Sequence, residues 1–511
     1  MKKIKAFFWN AVLLTATSFL MRTVGVSFSV YVSNKIGAAG MGLYELIMSV
    51  YGLSVTLACS GINLAATRLV AEELGRNNPA GAKQAMRRCL CYSLVFGTAT
   101  AAALFCNAEY IGTHWLGDAR TITSLRALAI SMPFLSMSSS VSGYFTAVRR
   151  VFKSASAQVF EQAVRIGLTI VGLTLIAPDG LEYACLAIVL GGALAEIASF
   201  SYSLLLFLLD SRRYRCKERP PAGGLTRRML GISLPVAFSA YARSGLVTIE
   251  HLLIPRGLRR HGATGDAALA SYGLLHGMVL PILLFPAAFL QALSGLLVPE
   301  LAECRAQCHE IRINYIAGRV FQITLLFSIG VAGAMFSFSG ELATAIYGNT
   351  DTSGYLRILA PLIPVMYLDT AVDGMLKGLG EQVSSMRYNI IDASCSVVLV
   401  YFLVPWLGLP GYVITIFFTE LLNAALSANR LISVTQFRIN LWDCVLKPVF
   451  GVAGATSASR LLLRLLGTAF SSPVTEAAAH IALAAAIYLL FLRLAACVTR
   501  EDIRWATGIL R

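Results

Sequence analysis

Arg22 and Glu250 are ionisable side chains inside long apolar stretches of this sequence, where a membrane-embedded group can bind a charged ligand. Arg22 is the only charged residue in the run 7–33, and Glu250 lies in the run 229–253. An ionised side chain at the centre of a bilayer costs roughly 2.5–3.5 kcal/mol even on the mildest scale, so such groups usually face a cavity. We therefore expect Arg22 to attract an anionic group of a substrate, while Glu250 competes for Arg22 or binds a cation. The alternative is a static ion pair that joins two helices.

Four further side chains join Arg22 as candidates for substrate binding. They are Glu45, Arg68, Arg243 and His276. Arg243 is seven residues from Glu250, which places both on one helical face two turns apart. Arg68 either touches a headgroup phosphate or anchors its helix at the cytoplasmic surface. For His276, a role in the cavity and a hydrogen-bonded, buried imidazole are both open.

A second group of polar side chains is suited to a coupling ion. Asn389 and Asp392 lie one turn apart at the start of one apolar run, and Thr415 lies in the next. Oxygen ligands suit a hard monovalent cation, and a carboxylate in lipid also takes up a proton. Glu250 is a candidate to complete this site, and the alternative is hydrogen bonding between helices. The sequence thus predicts Na⁺ or H⁺ as the candidate coupling ion and no other cofactor.

Other chemistry finds little support. Cys304, Cys308 and His309 match no known zinc spacing, and no metal site is expected. No nucleophile elbow, phosphate loop or dinucleotide fingerprint occurs, so the protein is not expected to be an enzyme. Glu161 and Arg165 are four residues apart on one predicted helix and are expected to pair with each other.

The elements that position these side chains are predicted to be membrane-spanning helices. The 511 residues are 57% hydrophobic and only 14% charged, with a mean hydropathy of +0.69. That is more apolar surface than a soluble core of this size buries. About fourteen apolar runs approach the ~20 residues needed for a helical span. They are 7–33, 41–67, 89–112, 123–147, 156–177, 181–209, 229–253, 269–298, 320–346, 355–376, 388–405, 411–429, 445–467 and 474–494.

The distribution of basic residues predicts the orientation. When the N-terminus is placed in the cytoplasm, most of the 42 Lys and Arg residues fall in cytoplasmic segments, as the positive-inside rule requires. An even number of spans then leaves both termini in the cytoplasm. The net charge of +15 follows from this sorting, so no nucleic-acid partner is expected.

An internal repeat predicts two similar lobes. Sliding one half of the chain over the other aligns Pro133 with Pro364 and Gly143 with Gly374. A second match sets 36–44 on 264–272 and lays Arg22 on Glu250. Six spans separate the copies, so the lobes are expected to be parallel repeats related by an axis along the membrane normal.

This repeat gives the predicted domain organisation of an all-α membrane protein. The N-lobe, with spans one to six, covers 1–210, and a cytoplasmic loop covers 211–228. The C-lobe, with spans seven to twelve, covers 229–433, and two further spans with a cytoplasmic tail cover 434–511. A cleft between the two pseudo-symmetric six-helix lobes is expected to hold the substrate.

Several stretches, taken together and in order, resemble the stage V sporulation protein B family. They are 36–44 (IGAAGMGLY), 60–63 (SGIN), 69–73 (LVAEE), 133–150, 161–165 (EQAVR), 253–258 (LIPRGL), 277–281 (GMVLP) and 297–301 (LVPEL). That family belongs to the polysaccharide-exporter branch of the multidrug/oligosaccharidyl-lipid/polysaccharide (MOP) superfamily, which also contains the lipid II flippase MurJ and the MATE antiporters. The resemblance implies a V-shaped, two-lobed transporter that works by alternating access on a lipid-linked sugar.

The resemblance also implies roles for single residues. Arg22 matches by position an arginine that lines the central cavity of the lipid II flippases. Glu250, Asn389 and Asp392 resemble their cation site, although the family usually has aspartate in place of Glu250. The segment 146–148 reads Thr-Ala-Val where Gln-Gly is common. The longer carboxylate of Glu250 changes the geometry that an ion would meet.

The predicted function is therefore that of a flippase. It would move an undecaprenyl-pyrophosphate-linked saccharide across a bacterial cytoplasmic membrane, and the resemblance implies a peptidoglycan precursor as cargo and a role in spore cortex formation. Expected partners are this lipid-linked substrate, the bilayer and cell-wall synthesis enzymes. The alternatives are a MATE-type cation-coupled multidrug antiporter, which would need an acidic, aromatic-lined cavity, and a non-transporting scaffold for envelope assembly, in which the charges inside spans would neutralise one another.

Overall fold

The computed structural model describes residues 2–76, 78–176, 180–211, 224–435, 442–465, 472–495 and 497. Within these ranges the chain is built from helices and contains no β-strand. The α-helices are α1 (Lys2–Cys59), α2 (Ile62–Gly75), α3 (Pro79–Tyr110), α4 (Ile122–Ala147), α5 (Val151–Ile176), α6 (Leu181–Ser211), α7 (Leu225–His261), α8 (Gly265–Gly273), α9 (Leu280–Leu284), α10 (Ala287–Ala306), α11 (Glu310–Ser337), α12 (Ser339–Tyr347), α13 (Ser353–Leu359), α14 (Ile363–Gly378), α15 (Gln382–Leu407), α16 (Leu409–Thr435), α17 (Lys447–Leu465) and α18 (Pro473–Leu494). Single-turn π-helices occupy Ile111–Leu116, Leu274–Val279 and Trp442–Leu446.

The predicted all-α membrane fold is confirmed. The described parts of the predicted apolar runs lie mainly on helices, with short interruptions such as Ser60–Gly61. By length and composition, ten helical segments of the described chain are suited to cross a membrane. The first of them, Leu20–Gly75, contains most of the first two predicted runs, and within it α1 consists of two helical stretches that meet at a kink at Gly37. Gly37 has φ of +69°, a left-handed conformation that glycine adopts without steric cost.

By its internal contacts the chain divides into two compact units. The first comprises the described residues of Met1–Phe28 and Lys35–Gly273, and the second those of Ser29–Asn34 and Leu274–Arg511. The predicted lobe boundaries at 210 and 229 stay a prediction, and residues 212–223 of the predicted cytoplasmic loop lie outside the described residues.

In the first unit, α1 and α8 approach each other so closely that their backbones touch. A Cβ atom on Gly42 would lie less than 2.5 Å from the Leu269 carbonyl oxygen, and one on Gly273 would meet the Ala38 carbonyl oxygen in the same way. Glycine is therefore required at both positions. These are segments that the predicted internal repeat places in register with each other.

The second unit has a core of its own. Leu297, Leu301, Val320, Met375 and Leu431 are among its fully buried side chains, contributed by α10, α11, α14 and α16. The last two helices, α17 and α18, pack against each other and against α11. Between α11, α17 and α18 lies a cavity of about 470 Å³, lined almost entirely by apolar side chains that include Leu326, Val331 and Leu489.

Candidate substrate and ion sites

Arg22 lies on α1 and is half-buried. Within the described residues it forms no ion pair, so its guanidinium is available to a ligand in this structure. Glu250, on α7 of the same unit, is also half-buried. Their predicted roles in substrate and cation binding stay predictions.

The other substrate candidates of the first unit have different surroundings. Glu45 is half-buried on α1, and Arg243 is exposed on α7. Arg68 has 64% of its side chain exposed and donates from Nε to the Glu72 carboxylate, four residues along α2, at 2.9 Å. The structure therefore gives Arg68 a partner on its own helix.

Glu72 and Glu73 form a cluster of ion pairs with the start of α7 that sequence reasoning missed. Arg228 of α7 contacts the Glu72 carboxylate and lies 3.2 Å from the Glu73 carboxylate. Glu73 is only 1% exposed and also binds Arg76 and the Asn78 amide. The contact joins residues far apart in sequence, so no local spacing signals it.

His276 is hydrogen-bonded inside the second unit. It lies on the π-helix Leu274–Val279, and its Nε2 atom is 2.6 Å from the Tyr412 hydroxyl of α16. The two rings are stacked, with centroids 5.5 Å apart. This matches the structural alternative for His276, and an additional role in the substrate cavity stays a prediction.

The ion-site candidates Asn389, Asp392 and Thr415 lie on α15 and α16, which pack against each other in the second unit. Asn389 donates its amide to the Ser385 carbonyl at 2.9 Å. Thr415 is fully buried and donates to the Gly411 carbonyl of its own helix at 3.0 Å. Asp392 is half-buried. Glu250, proposed to complete the site, belongs to the first unit.

The first unit contains a polar pocket that the sequence did not reveal as a site. Its volume is about 290 Å³, near the lower limit of small-molecule pockets. The polar lining residues are Asn63 of α2, Ser138, Ser139 and Ser142 of α4, Ser154, Gln158 and Glu161 of α5, and Ser199 and Ser203 of α6. The signal that could have found it is the serine-rich stretch 136–142 within an apolar run.

A buried ionic network lies beside this pocket. Arg165 is 2.8 Å from the Glu161 carboxylate, which confirms the predicted pairing within α5. Its guanidinium also lies 3.9 Å from Glu196 of α6, which is 5% exposed. The Tyr51 hydroxyl of α1 donates a hydrogen bond to Glu196. One guanidinium, that of Arg165, thus serves the two carboxylates of Glu161 and Glu196 and holds Glu161 in place behind the pocket wall.

The backbone next to the pocket is interrupted. The chain leaves α1 at Ser60 and enters α2 after Gly61, whose φ is +79°. Ser136 donates to the Ala58 carbonyl at 2.7 Å, and Asn63 donates to the Ser139 carbonyl at 3.0 Å. The Ser136 hydroxyl therefore satisfies the Ala58 carbonyl at the break, as an interrupted helix inside a membrane protein requires, and Asn63 joins the start of α2 to α4.

Comparison with known families decides which class of protein holds these sites. A family model described as "Polysaccharide biosynthesis protein" matches residues 8–293. The chain belongs to this family. A second model, described as MatE, matches residues 261–402.

Individual relatives agree with this family. The chain is 25% identical to stage V sporulation protein B of Bacillus subtilis (strain 168) over 98% of its own length and 97% of the relative's. It is 20% identical to the lipid II flippase MurJ of the same organism, covering 76% of this chain and 75% of MurJ. The predicted resemblance to the stage V sporulation protein B family is confirmed.

A solved structure described as lipid II flippase MurJ in an inward closed conformation shares the fold. Its TM-score is 0.68 with 13% sequence identity, and the match covers 94% of this chain and 98% of that one. The protein is therefore a multi-pass membrane protein of the transporter type found in the MOP superfamily.

Proposed function

We propose that this protein is a flippase that moves a lipid-linked saccharide bearing a pyrophosphate from the inner to the outer leaflet by alternating access. The observation that carries the proposal is Arg22, a half-buried arginine in a membrane-spanning helix that forms no ion pair within the described residues. A guanidinium in that setting binds phosphate oxygens through charge-assisted, bidentate hydrogen bonds.

A lipid-linked saccharide also needs an apolar surface for its chain. The cavity of about 470 Å³ between α11, α17 and α18 supplies one inside the second unit. Burial of apolar surface contributes about 25 cal/mol per Å², so such a cavity adds substantially to the binding of a prenyl chain. A purely water-soluble substrate would gain nothing from it.

The relatives support the finer parts of the proposal. One is a sporulation protein and one is a lipid II flippase, so we propose a peptidoglycan precursor as cargo and a role in spore cortex formation. The site of action is then the bacterial cytoplasmic membrane, with both termini inside and cell-wall synthesis enzymes as partners. We also propose Asn389 and Asp392 as ligands of a coupling Na⁺ or H⁺.

The test is translocation of fluorescent lipid II in proteoliposomes containing the purified protein. Arg22→Ala is expected to reduce the initial rate at least tenfold, and Arg22→Lys to retain part of it, because a lysine keeps the charge but loses the planar fork. Arg464→Ala, which removes an exposed arginine on α17, is the control. Equal rates for wild type and Arg22→Ala, at equal protein density, would remove Arg22 from the mechanism.

The MatE match supports a second candidate, a cation-coupled multidrug antiporter. An organic cation would be repelled by an unpaired arginine, so Arg22 favours the anionic cargo. Export of ethidium driven by a sodium or proton gradient, together with absent lipid II transport, would reverse this preference.

A further inference from the structure

We infer that the polar pocket of the first unit binds one uncharged sugar ring of the translocated substrate. This inference rests on the proposed flippase function and assigns a part of its cargo to a defined site. The pocket lies between α1, α2, α4, α5 and α6, and all of its lining residues belong to the first unit.

Three polar side chains of the pocket are free to meet a ligand. Within the described residues the Ser138 and Ser203 hydroxyls and the Gln158 amide form no hydrogen bond. Ser203 as a whole residue is 5% exposed, whereas Gln158 is exposed. A hydroxyl-bearing ligand in the pocket can form hydrogen bonds with these three side chains without breaking existing ones.

The charge of the pocket excludes the other parts of a lipid-linked saccharide. Its described lining residues include no Lys, Arg or His, and their only carboxylate, Glu161, is already paired with Arg165 at 2.8 Å. A pyrophosphate would find no cation among these residues, and a prenyl chain would offer no hydrogen bond to the Ser138 and Ser203 hydroxyls. A neutral sugar ring with several hydroxyl groups needs no cation and can form hydrogen bonds with these hydroxyls.

The pairing of Glu161 with Arg165 also argues against a metal cation as the ligand. A bound cation needs several oxygen ligands around one point and usually a carboxylate whose charge is uncompensated. Here Glu161 already accepts a hydrogen bond from Arg165, and the remaining oxygens belong to serines and amides spread over a cavity of about 290 Å³. A saccharide uses such distributed donors and acceptors, and Phe145 gives its ring one apolar face.

The interrupted helix marks this pocket as a place for a ligand. Val55 and Cys59 of α1 and Asn63 of α2, on either side of the break, all line it. In membrane transporters, non-helical backbone is tolerated where it lines a cavity, and substrate sites are typically formed at discontinuous helices. The break and the unpaired hydroxyls are independent observations that point to the same cavity.

The natural cysteine in the pocket allows a direct binding test. In the purified full-length protein, N-ethylmaleimide labelling of Cys59 is followed by peptide mass spectrometry, with Cys395 of α15 as the internal reference. N-acetylglucosamine at twice its dissociation constant is expected to slow Cys59 labelling about threefold, as simple competition requires. Ser138→Cys provides a second reporter on the facing helix α4. Protection of neither cysteine by N-acetylglucosamine would overturn the inference, as would protection by sodium chloride or pyrophosphate instead.

Transport by variants separates this inference from the proposed function. Gln158→Ala and Ser203→Val are expected to raise the KM for lipid II about tenfold with little change in kcat, because they remove contacts made throughout the cycle. Ser201→Ala is the matched control, since Ser201 lies on α6 like Ser203 and donates a hydrogen bond to the Ile197 carbonyl at 2.8 Å. If wild type transports lipid II and neither pocket variant differs from it, the sugar site is wrong and the flippase stands. If wild type does not transport lipid II but Cys59 is protected, the site stands and the flippase fails.

Discussion

Gly61 lies directly against the backbone of Ser233, and a Cβ atom added to Gly61 would overlap the Ser233 carbonyl oxygen. The contact places α7 on the break between α1 and α2, beside the polar pocket. Gly61 also has φ of +79°, in the left-handed region. Two separate constraints, steric clearance and backbone conformation, thus act on one residue.

Gly61→Ala is therefore expected to destabilise the protein. The left-handed conformation alone costs a non-glycine residue about 1–3 kcal/mol, and the clash with backbone adds to this because backbone cannot rotate away. Thermal unfolding in detergent measures the loss. Gly52→Ala is the control, since a Cβ there meets no atom within 4 Å. An unchanged melting temperature for Gly61→Ala would contradict the packing of α7 on the break.

Arg228 is expected to fix the start of α7 through Glu73. Arg228→Ala leaves the buried Glu73 carboxylate with fewer donors, and a cost of about 1–3 kcal/mol follows from the lost charged hydrogen bond. The adjacent Arg227 is exposed, and Arg227→Ala should be neutral. The double variant Arg228→Ala, Glu73→Gln should cost less than the sum of the two single changes, as contacting residues do. Strict additivity would show that the pair does not interact.

Glu381 is expected to make stability depend on pH. Hydrogen bonds from Arg430, at 2.8 and 3.1 Å, hold the pKa of this carboxyl below its ordinary value of 4.5, with a smaller contribution from Ser384. The folded state therefore favours the carboxylate, and its stabilising effect is complete above pH 4.5 and disappears as the pH falls through the lowered pKa.

The measurement is the melting temperature of wild type and Glu381→Gln between pH 3 and pH 7. The difference between the two proteins should be largest at neutral pH and shrink below pH 4.5. Asp351→Asn, which alters an exposed acid, provides the control. A difference that grows towards low pH would mean that Arg430 does not stabilise the charged form.

Tyr412→Phe tests whether His276 is structural. The change removes the hydroxyl bonded to His276 Nε2 and keeps the stacked ring. We expect a loss of about 1 kcal/mol in stability, typical of one hydrogen bond, with lipid II transport per folded molecule unchanged. A transport defect without a loss of stability would instead assign His276 to the substrate path.

The sequence predicted the helices well and the contacts between them less well. Apolar runs marked the membrane helices because lipid exposure and length impose a local signal. The pairing of Glu161 with Arg165 was also predictable, since both lie on one helix. Local patterns could not predict the cluster of Arg228 with Glu72 and Glu73 or the polar pocket, because residues from distant helices form them. The serines of α4 looked like ordinary small residues until four other helices enclosed them.

The close contact between α1 and α8 joins two segments that the predicted internal repeat treats as equivalent. Gly42 lies against Leu269, and the internal repeat pairs Gly42 with Ala270 and Leu269 with Met41. When each residue is exchanged for its equivalent in the other copy of the predicted repeat, nearly the same pair of positions results. Isologous interfaces between identical subunits have this property. A chain with one copy of the predicted repeat would therefore carry both sides of this contact, which is the property that lets two identical molecules associate through one surface.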